Sequence, residues 1–141
     1  MSKSQALILG GTTGMGKATA QLLLQKGIEV IIVGRADKNL EVVQKELSAF
    51  GTVKTIALNL FDLQAVKAFS VKMATEFPNL KYLVNSAGYF SPKPFLEHTE
   101  ADYDIYHNFN KAFFLITQSV AKVMISNGGG YIVNIGPMGA K

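Results

Sequence analysis

Near the N-terminus an apolar run ends in glycines and continues at once into a helical stretch. The run is 6–9, the glycines are Gly10, Gly14 and Gly16, and the helical pattern covers 17–25. The backbone N–H groups of such a junction, with the positive end of the helix dipole, favour a pyrophosphate. Glycine is needed because a Cβ would block close approach of phosphates and because some positions need a positive φ. The spacing predicts a phosphate-binding loop that differs from the standard G-x-G-x-x-G.

Composition limits the class of protein. The chain has 141 residues, of which 48% are hydrophobic and 17% charged, and this predicts one folded domain and argues against disorder. The net charge of +4 comes with scattered lysines and no basic run, so we expect no nucleic-acid partner. The absence of cysteine excludes disulfides and thiolate metal sites. No apolar run approaches the ~20 residues of a membrane span, so we expect no membrane association and a reducing, cytoplasmic location.

Short buried strands alternate with helices along the chain. The predicted strands cover 6–9, 29–33, 53–58, 82–85 and 131–135. Two predicted helices cover 17–26 and 39–50, a third is capped by Asp62 and stopped by Pro78, and a long fourth starts at Thr99 and ends near Asn127-Gly128. Asp37 and Asp62 are predicted N-caps, and Thr99 with Asp102 predicts a capping box. This alternation predicts an α/β, Rossmann-like, doubly wound parallel sheet in the order 3-2-1-4-5, with ligands at the carboxyl ends of the strands.

The end of the second strand carries an arginine where NAD-binding folds usually carry an acid. The sequence there reads Val33-Gly34-Arg35, so Gly34 takes the place of the acid. A guanidinium can bind a 2′-phosphate through two parallel hydrogen bonds and stack on adenine, whereas a carboxylate would repel that phosphate. We therefore expect NADP(H) to be preferred over NAD(H). The alternative is a solvated arginine at a strand end. Asp37 is interpreted as a helix cap and not as a ribose ligand.

Three motifs occur in register along the chain: the G-x-x-x-G-x-G loop at 10–16, Asn85-Ser86-Ala87-Gly88 after the fourth strand, and Ile132-Val133-Asn134-Ile135 in the fifth. Together they resemble the short-chain dehydrogenase/reductase family. The resemblance runs through the whole chain. It implies a nicotinamide dinucleotide bound across the strand ends and hydride transfer to or from the alcohol/carbonyl pair of a small-molecule substrate. It also implies association through the long fourth helix.

The resemblance implies a set of coenzyme-binding residues, namely Gly10, Thr12, Thr13, Gly14, Met15, Gly16, Arg35, Asn59, Leu60, Asn85, Ala87 and Gly88. Asn59 stands where the family usually has an aspartate near adenine, and its amide oxygen can still accept from the exocyclic amine.

The family's fourth helix carries an asparagine that anchors a water in a proton relay. Counting from Asp104 places it at Asn110, our preferred catalytic residue, whereas counting back from Phe113 and Phe114 favours Asn108. The alternative is that either one is a plain polar position on a half-exposed helix.

The resemblance ends at the groups that perform the family's chemistry. That chemistry needs a tyrosine as acid/base, a lysine four residues later whose charge lowers the tyrosine pKa, and a serine. Pro137 stands at the expected place of the serine, and no Tyr-x-x-x-Lys follows the fifth strand. Tyr89 and Lys93 have the right spacing, but Pro92 and Pro94 argue against a helix there. We expect a domain that is incomplete at its C-terminus and, on its own, does not turn over substrate.

The fifth strand is expected to lie at a sheet edge with unpaired backbone groups. Apolar residues of the long helix are expected to lose their cover as well, namely Phe114, Leu115, Val123 and Met124. We therefore expect homo-oligomers built on this edge. His98 and His107 lie nine residues apart without a third ligand, so no metal site is predicted. Two functions stay open: an oxidoreductase of this family, and a non-catalytic NADP-binding module or partner subunit.

Overall fold

Five parallel strands form a sheet in the order β3-β2-β1-β4-β5 in the computed structural model of the chain, which describes residues 3–89 and 91–135. The predicted strand order is confirmed. The strands are β1 (Gln5–Leu9), β2 (Glu29–Gly34), β3 (Val53–Ala57), β4 (Leu80–Asn85) and β5 (Tyr131–Asn134).

Helices connect the strands as predicted, with small shifts at their ends. They are α1 (Gly14–Gln25), α2 (Lys38–Leu47), α3 (Leu63–Glu76) and α4 (Glu100–Ser126), with a short 3-10 turn at Phe95–Glu97. α1 begins at Gly14 rather than at residue 17, so two of the three glycines of the predicted loop belong to its first turn. α2 ends at Leu47 rather than at residue 50. Within the described ranges, no helix is both long and apolar enough to cross a membrane.

Side-chain caps determine where three of the helices begin. Asp37 Oδ1 accepts from the backbone N–H of Asn39 at 3.0 Å, and Asp62 Oδ1 accepts from two N–H groups of the first turn of α3 at 3.1 and 3.2 Å. At α4, Asp102 N–H donates to Thr99 Oγ1 at 3.1 Å while Thr99 N–H donates to Asp102 Oδ2 at 2.9 Å. The predicted caps and the predicted capping box are confirmed.

The sheet is covered on both faces, which explains why its strands are apolar without alternation. Alternate residues of β1 point to opposite faces, so that Leu7 and Leu9 pack under α3 and α4 while Ala6 and Ile8 pack under α1 and α2. β1 lies between β2 and β4. The chain therefore changes direction across the sheet at β1, and the crevice where such folds bind ligands lies at the carboxyl ends of β1 and β4.

Candidate functional site

The loop from β1 into α1 forms one wall of this crevice. Gly10 and Gly14 have φ values of +81° and +57°, as expected for glycines in the left-handed region. Gly16 is different, because its φ is not positive and a Cβ there would lie 2.5 Å from the Gly10 carbonyl oxygen. The Gly10 N–H donates to the Val33 carbonyl at 2.9 Å. The loop is thus folded tightly on itself and tied to the end of β2.

The N-terminus of α1 has no side-chain cap, unlike those of the other three α-helices. Thr13 precedes the helix in an extended conformation, its side chain makes no capping hydrogen bond, and the first turn contains no acidic residue. Thr13, Gly14 and Met15 are exposed. In the described part of the chain, the first N–H groups of α1 therefore have no acceptor from a cap, an arrangement that suits a bound anion.

The residues after β4 form the facing wall. Ser86 N–H donates to the Leu9 carbonyl at 2.9 Å, and a Cβ on Gly10 would lie 2.6 Å from both Cα and N of Ala87. Ser86 Oγ lies 2.9 Å from the Cβ position of Gly16. The structure therefore brings Gly10, Gly16 and Ala87 together. Ser86 belongs to this contact too and was not among the predicted site residues. Its position between Asn85 and Ala87, which were predicted, is the sequence feature that could have indicated it.

Asn85 contributes to the site by positioning it. Its side chain is buried at 9% exposure, and its Nδ2 donates to Oδ1 of Asn134 on the neighbouring strand at 2.6 Å. The Asn85 Oδ1 atom is buried and has no hydrogen-bond donor among residues 3–89 and 91–135. The side chain of Asn85 thus joins β4 to β5, and the following loop is left as the surface that can contact a ligand.

Arg35 stands exposed where β2 ends. Its side chain is 87% exposed, and its Nε lies 3.9 Å from Asp37 Oδ2, a distance at which an exposed ion pair contributes little. Asp37 uses its other oxygen to cap α2, which confirms its interpretation as a helix cap. The guanidinium is therefore only weakly held and can reach an anion at the strand ends.

The end of β3 provides a second polar group. Asn59 is exposed, and its Oδ1 accepts from the backbone N–H of Phe61 at 3.0 Å. An amide oxygen has two lone pairs, so it can accept from a second donor. The side chain of Leu60 is 9% exposed and belongs to the apolar core beneath α3 and α4. Its backbone is therefore the part able to contact a ligand.

The two asparagines considered for the relay have different environments on α4. Asn108 is half-buried and Asn110 is exposed. Phe109 between them is buried, and its ring lies 4.7 Å from that of Phe113 and 5.3 Å from that of Phe61, measured between centroids. α4 runs without interruption through this region, and the assignment of either asparagine stays a prediction.

The pair Tyr89 and Lys93 does not form an acid/base unit. Residues 86–89 and 91–94 are irregular, so no helix face joins the two side chains. Tyr89 packs against the rings of Phe61 and Tyr106 at 5.2 and 5.0 Å, whereas Lys93 Nζ lies 2.9 Å from both carboxylate oxygens of Asp102. The prediction of no helix at this pair is confirmed for the described residues. Residues 136–141, and with them Pro137, lie outside the described residues.

Asp102 is the group with a clearly shifted pKa. The hydrogen bond from Lys93 and then that from the Thr99 N–H lower the pKa of its carboxyl to about 2. The two histidines have local partners: His98 Nδ1 lies 3.2 Å from the Pro94 carbonyl, and the ring of His107 stacks on Tyr103 at 6.0 Å. Over the described residues, no group of three or more potential metal ligands occurs.

This geometry has a counterpart among known proteins. A profile of the short chain dehydrogenase family matches residues 4–141. The chain belongs to the short-chain dehydrogenase/reductase family. Its crevice lies where proteins with this strand order bind dinucleotides.

Two short-chain dehydrogenase relatives show how much of the family's length is present. YvrD of Bacillus subtilis, an uncharacterized oxidoreductase, is 32% identical over 136 residues, which are 96% of this chain and 51% of that protein. FabG of Thermotoga maritima, a 3-oxoacyl-[acyl-carrier-protein] reductase, is 34% identical over 131 residues, which are 92% of this chain and 53% of that protein. The chain spans about half the length of the curated relatives it matches.

A solved structure gives the same comparison in three dimensions. A metagenomic short-chain oxidoreductase in complex with NADP has a TM-score of 0.88 and 28% identity to this chain, covering 100% of it and 65% of its own length. The Rossmann-like parallel sheet predicted from the strand–helix alternation is confirmed, and so is the family that the three motifs resemble.

Proposed function

We propose that this chain binds NADP(H) at the carboxyl ends of its strands, as the coenzyme-binding part of a short-chain oxidoreductase. The observation that carries this proposal is the pairing of an uncapped α1 N-terminus with an exposed Arg35 at the end of β2. The first suits a pyrophosphate and the second suits a 2′-phosphate. The NADP complex of the metagenomic short-chain oxidoreductase supports the same assignment.

The residues present fit the coenzyme. A Cβ at Gly14 or at Gly88 would have no atom within 4 Å, so both glycines border open space in which a ligand can lie. The amides of Thr12 to Gly16 would hold the pyrophosphate. Arg35 would hold the 2′-phosphate.

The remaining contacts follow from the other strand ends. Asn59 and the backbone of Leu60 would border the adenine, and the backbone of Ala87 and Gly88 would border a ribose. The bound coenzyme supplies the hydride donor or acceptor for an alcohol/carbonyl pair. Asn110, with Asn108 as the alternative, would contribute to the proton relay from α4.

Turnover by this chain alone is not expected. The Tyr-x-x-x-Lys spacing in the described residues lies across the irregular stretches 86–89 and 91–94, and the sequence has Pro137 where the family has its serine. Proline has no hydroxyl and no N–H to position a reacting oxygen. Pro137 favours a second candidate, a non-catalytic NADP-binding module or partner subunit.

Calorimetric titration of the purified chain with NADPH and NADH tests the coenzyme proposal. We expect saturable binding of NADPH and weaker binding of NADH, and the absence of binding by both would contradict the proposal. Assays with a panel of ketones test the expected inactivity of this chain. NADPH-dependent reduction above a no-enzyme control would contradict it and favour the oxidoreductase, whereas binding without reduction fits both candidates.

Self-association through β5 is also proposed. Tyr131, Ile132 and Val133 are 63%, 42% and 52% exposed, and among residues 3–89 and 91–135 β5 pairs with β4 along one side only. On α4, Phe114 is 63% exposed, whereas Val123 and Met124 are buried at 4% and Leu115 is half-buried. The expectation that Val123 and Met124 lack cover was therefore wrong, because the helix turns them toward the sheet. An open strand edge beside exposed apolar side chains favours pairing with a second copy.

A further inference from the structure

Gly34, the last residue of β2, is a glycine for reasons of space. Its φ is not in the positive range, so its backbone conformation is open to any residue. A Cβ placed on it would lie 2.9 Å from Thr12 Cγ2 and 3.2 Å from Leu40 Cδ1. The first distance is shorter than real Cβ contacts reach, and the second is tighter than most of them. A side chain at position 34 therefore requires the neighbouring methyl groups to move.

We propose that the methyl group of Thr12 is a determinant of coenzyme selectivity, because it fills the space that a side chain at position 34 would need. This inference rests on the proposed binding of NADP(H). A carboxylate at the end of the second strand is the group that holds the ribose of NAD. It would also repel a 2′-phosphate and neutralise the adjacent Arg35. The Thr12 methyl occupies the space that such a carboxylate would need in order to bind the ribose of NAD or to repel the 2′-phosphate of NADP.

The loop backbone next to Thr12 and the second neighbour of position 34 are both held in place. The Gly10 N–H to Val33 carbonyl hydrogen bond, at 2.9 Å, ties the loop to the strand just before Gly34. Leu40 is 8% exposed and packs in the core beneath α1 and α2, so it cannot swing into solvent. Close-packed interiors resist even one added methyl group. Loop and strand end therefore constrain each other's side chains.

An unfolding experiment tests this contact without any coenzyme. Gly34→Ala is introduced into the natural chain, into Thr12→Ser, which lacks the methyl group but keeps the hydroxyl, and into Thr12→Val, which keeps a methyl group but lacks the hydroxyl. We expect Gly34→Ala to lower the thermal midpoint by about 3–8 °C in the natural and Thr12→Val backgrounds. The loss should be clearly smaller beside Thr12→Ser. Equal losses in all three backgrounds would overturn the proposal.

Coenzyme titrations test the selectivity itself. Gly34→Asp alone is expected to weaken NADPH binding about 10- to 100-fold without improving NADH binding, because the carboxylate has no room to reach the ribose. Adding Thr12→Ser should let the carboxylate settle and tighten NADH binding by about tenfold relative to Gly34→Asp. If Gly34→Asp alone gains NADH affinity as strongly as the double variant, the Thr12 proposal is wrong while the NADP proposal stands. A natural chain that binds neither coenzyme overturns both.

Discussion

Arg35 is the side chain on which the proposed preference for NADP(H) depends. It meets solvent at the end of β2, with one carboxylate oxygen 3.9 Å from its Nε, and this carboxylate already caps α2. A guanidinium that is already exposed and weakly paired loses little when it turns to a phosphate. Most of the energy of a bidentate contact is then available for binding.

Arg35→Leu is expected to weaken NADPH binding and leave NADH binding nearly unchanged. Loss of hydrogen bonds to a charged group costs about 1.5–3 kcal/mol, which is about 10- to 100-fold in Kd. Arg35→Lys serves as the matched control. Its NADPH affinity should lie between those of the natural chain and of Arg35→Leu, because lysine keeps the charge but lacks the paired donors of the guanidinium. Calorimetry of the three proteins with both coenzymes measures the effect. Equal weakening of NADPH and NADH binding by Arg35→Leu would contradict this role.

The junction of β1 and α1 makes different demands at its glycines, and stability measurements should separate them. Gly14→Ala forces an alanine to φ +57° in open space, at a cost of about 1–2 kcal/mol. Gly16→Ala needs no positive φ and improves helix propensity, yet its Cβ would meet the Gly10 carbonyl oxygen at 2.5 Å. We expect Gly16→Ala to lower the free energy of unfolding in urea more than Gly14→Ala does. A larger loss of stability in Gly14→Ala would contradict the tight packing of Gly16 against the Gly10 carbonyl oxygen.

At the beginning of α4, the ion pair of Lys93 with Asp102 forms an electrostatic clamp. The stability that this clamp contributes depends on pH through the Asp102 carboxyl. The pKa of its carboxyl is lowered from 3.8 to about 2, first by the hydrogen bond from Lys93. Because the folded-state pKa is depressed, the stabilisation is present above pH 3.8 and is lost as the pH falls through about 2.

Lys93→Met is expected to move the pKa of Asp102 back toward its ordinary value of 3.8. An NMR titration of the side-chain carboxyl follows this directly. The difference in stability between the natural chain and Lys93→Met should be present at neutral pH and shrink as the pH falls toward 2. A difference that grows on acidification, or an unchanged pKa in the variant, would argue against the clamp.

For the molecule as a whole, the exposed strand β5 is expected to drive self-association. Light scattering of the natural chain at high concentration should show dimers or larger species, and Val133→Lys should shift them toward monomers because a charge on a strand edge opposes pairing. Val71→Lys is the control, since Val71 is an 81% exposed valine that lies on α3 and not in the sheet. A monomeric natural chain, or equal effects of both substitutions, would contradict association through β5.

Most of the fold could be predicted from patterns within short stretches of the sequence. The buried strands, the caps at Asp37, Asp62 and Thr99, and the strand order follow from apolar runs, short polar side chains and the handedness of parallel crossovers. The strands and caps depend on residues that are neighbours in the sequence, and the strand order follows from a general rule for parallel sheets. Both can therefore be predicted without knowing any long-range contact.

Contacts between distant segments were less accessible from the sequence. The sequence shows that Gly34 stands where NAD-binding folds usually carry an acid. Its close contact with Thr12 could not be predicted, because it depends on how the β1–α1 loop lies over β2. The choice between Asn108 and Asn110 depends on helix register, since positions two apart point to nearly opposite sides of a helix. Val123 and Met124 were misjudged for the same reason, because their direction is determined by the packing of α4 on the sheet.

The most direct test of the account is an NMR comparison of the chain with NADPH and with NADH. We predict that both coenzymes shift the backbone amide signals of Gly10 to Gly16, and that NADPH alone shifts the Nε–H signal of Arg35, because only NADPH carries the 2′-phosphate. Saturating NADPH that leaves the Gly10 to Gly16 amides unmoved would contradict the phosphate-binding role of this junction.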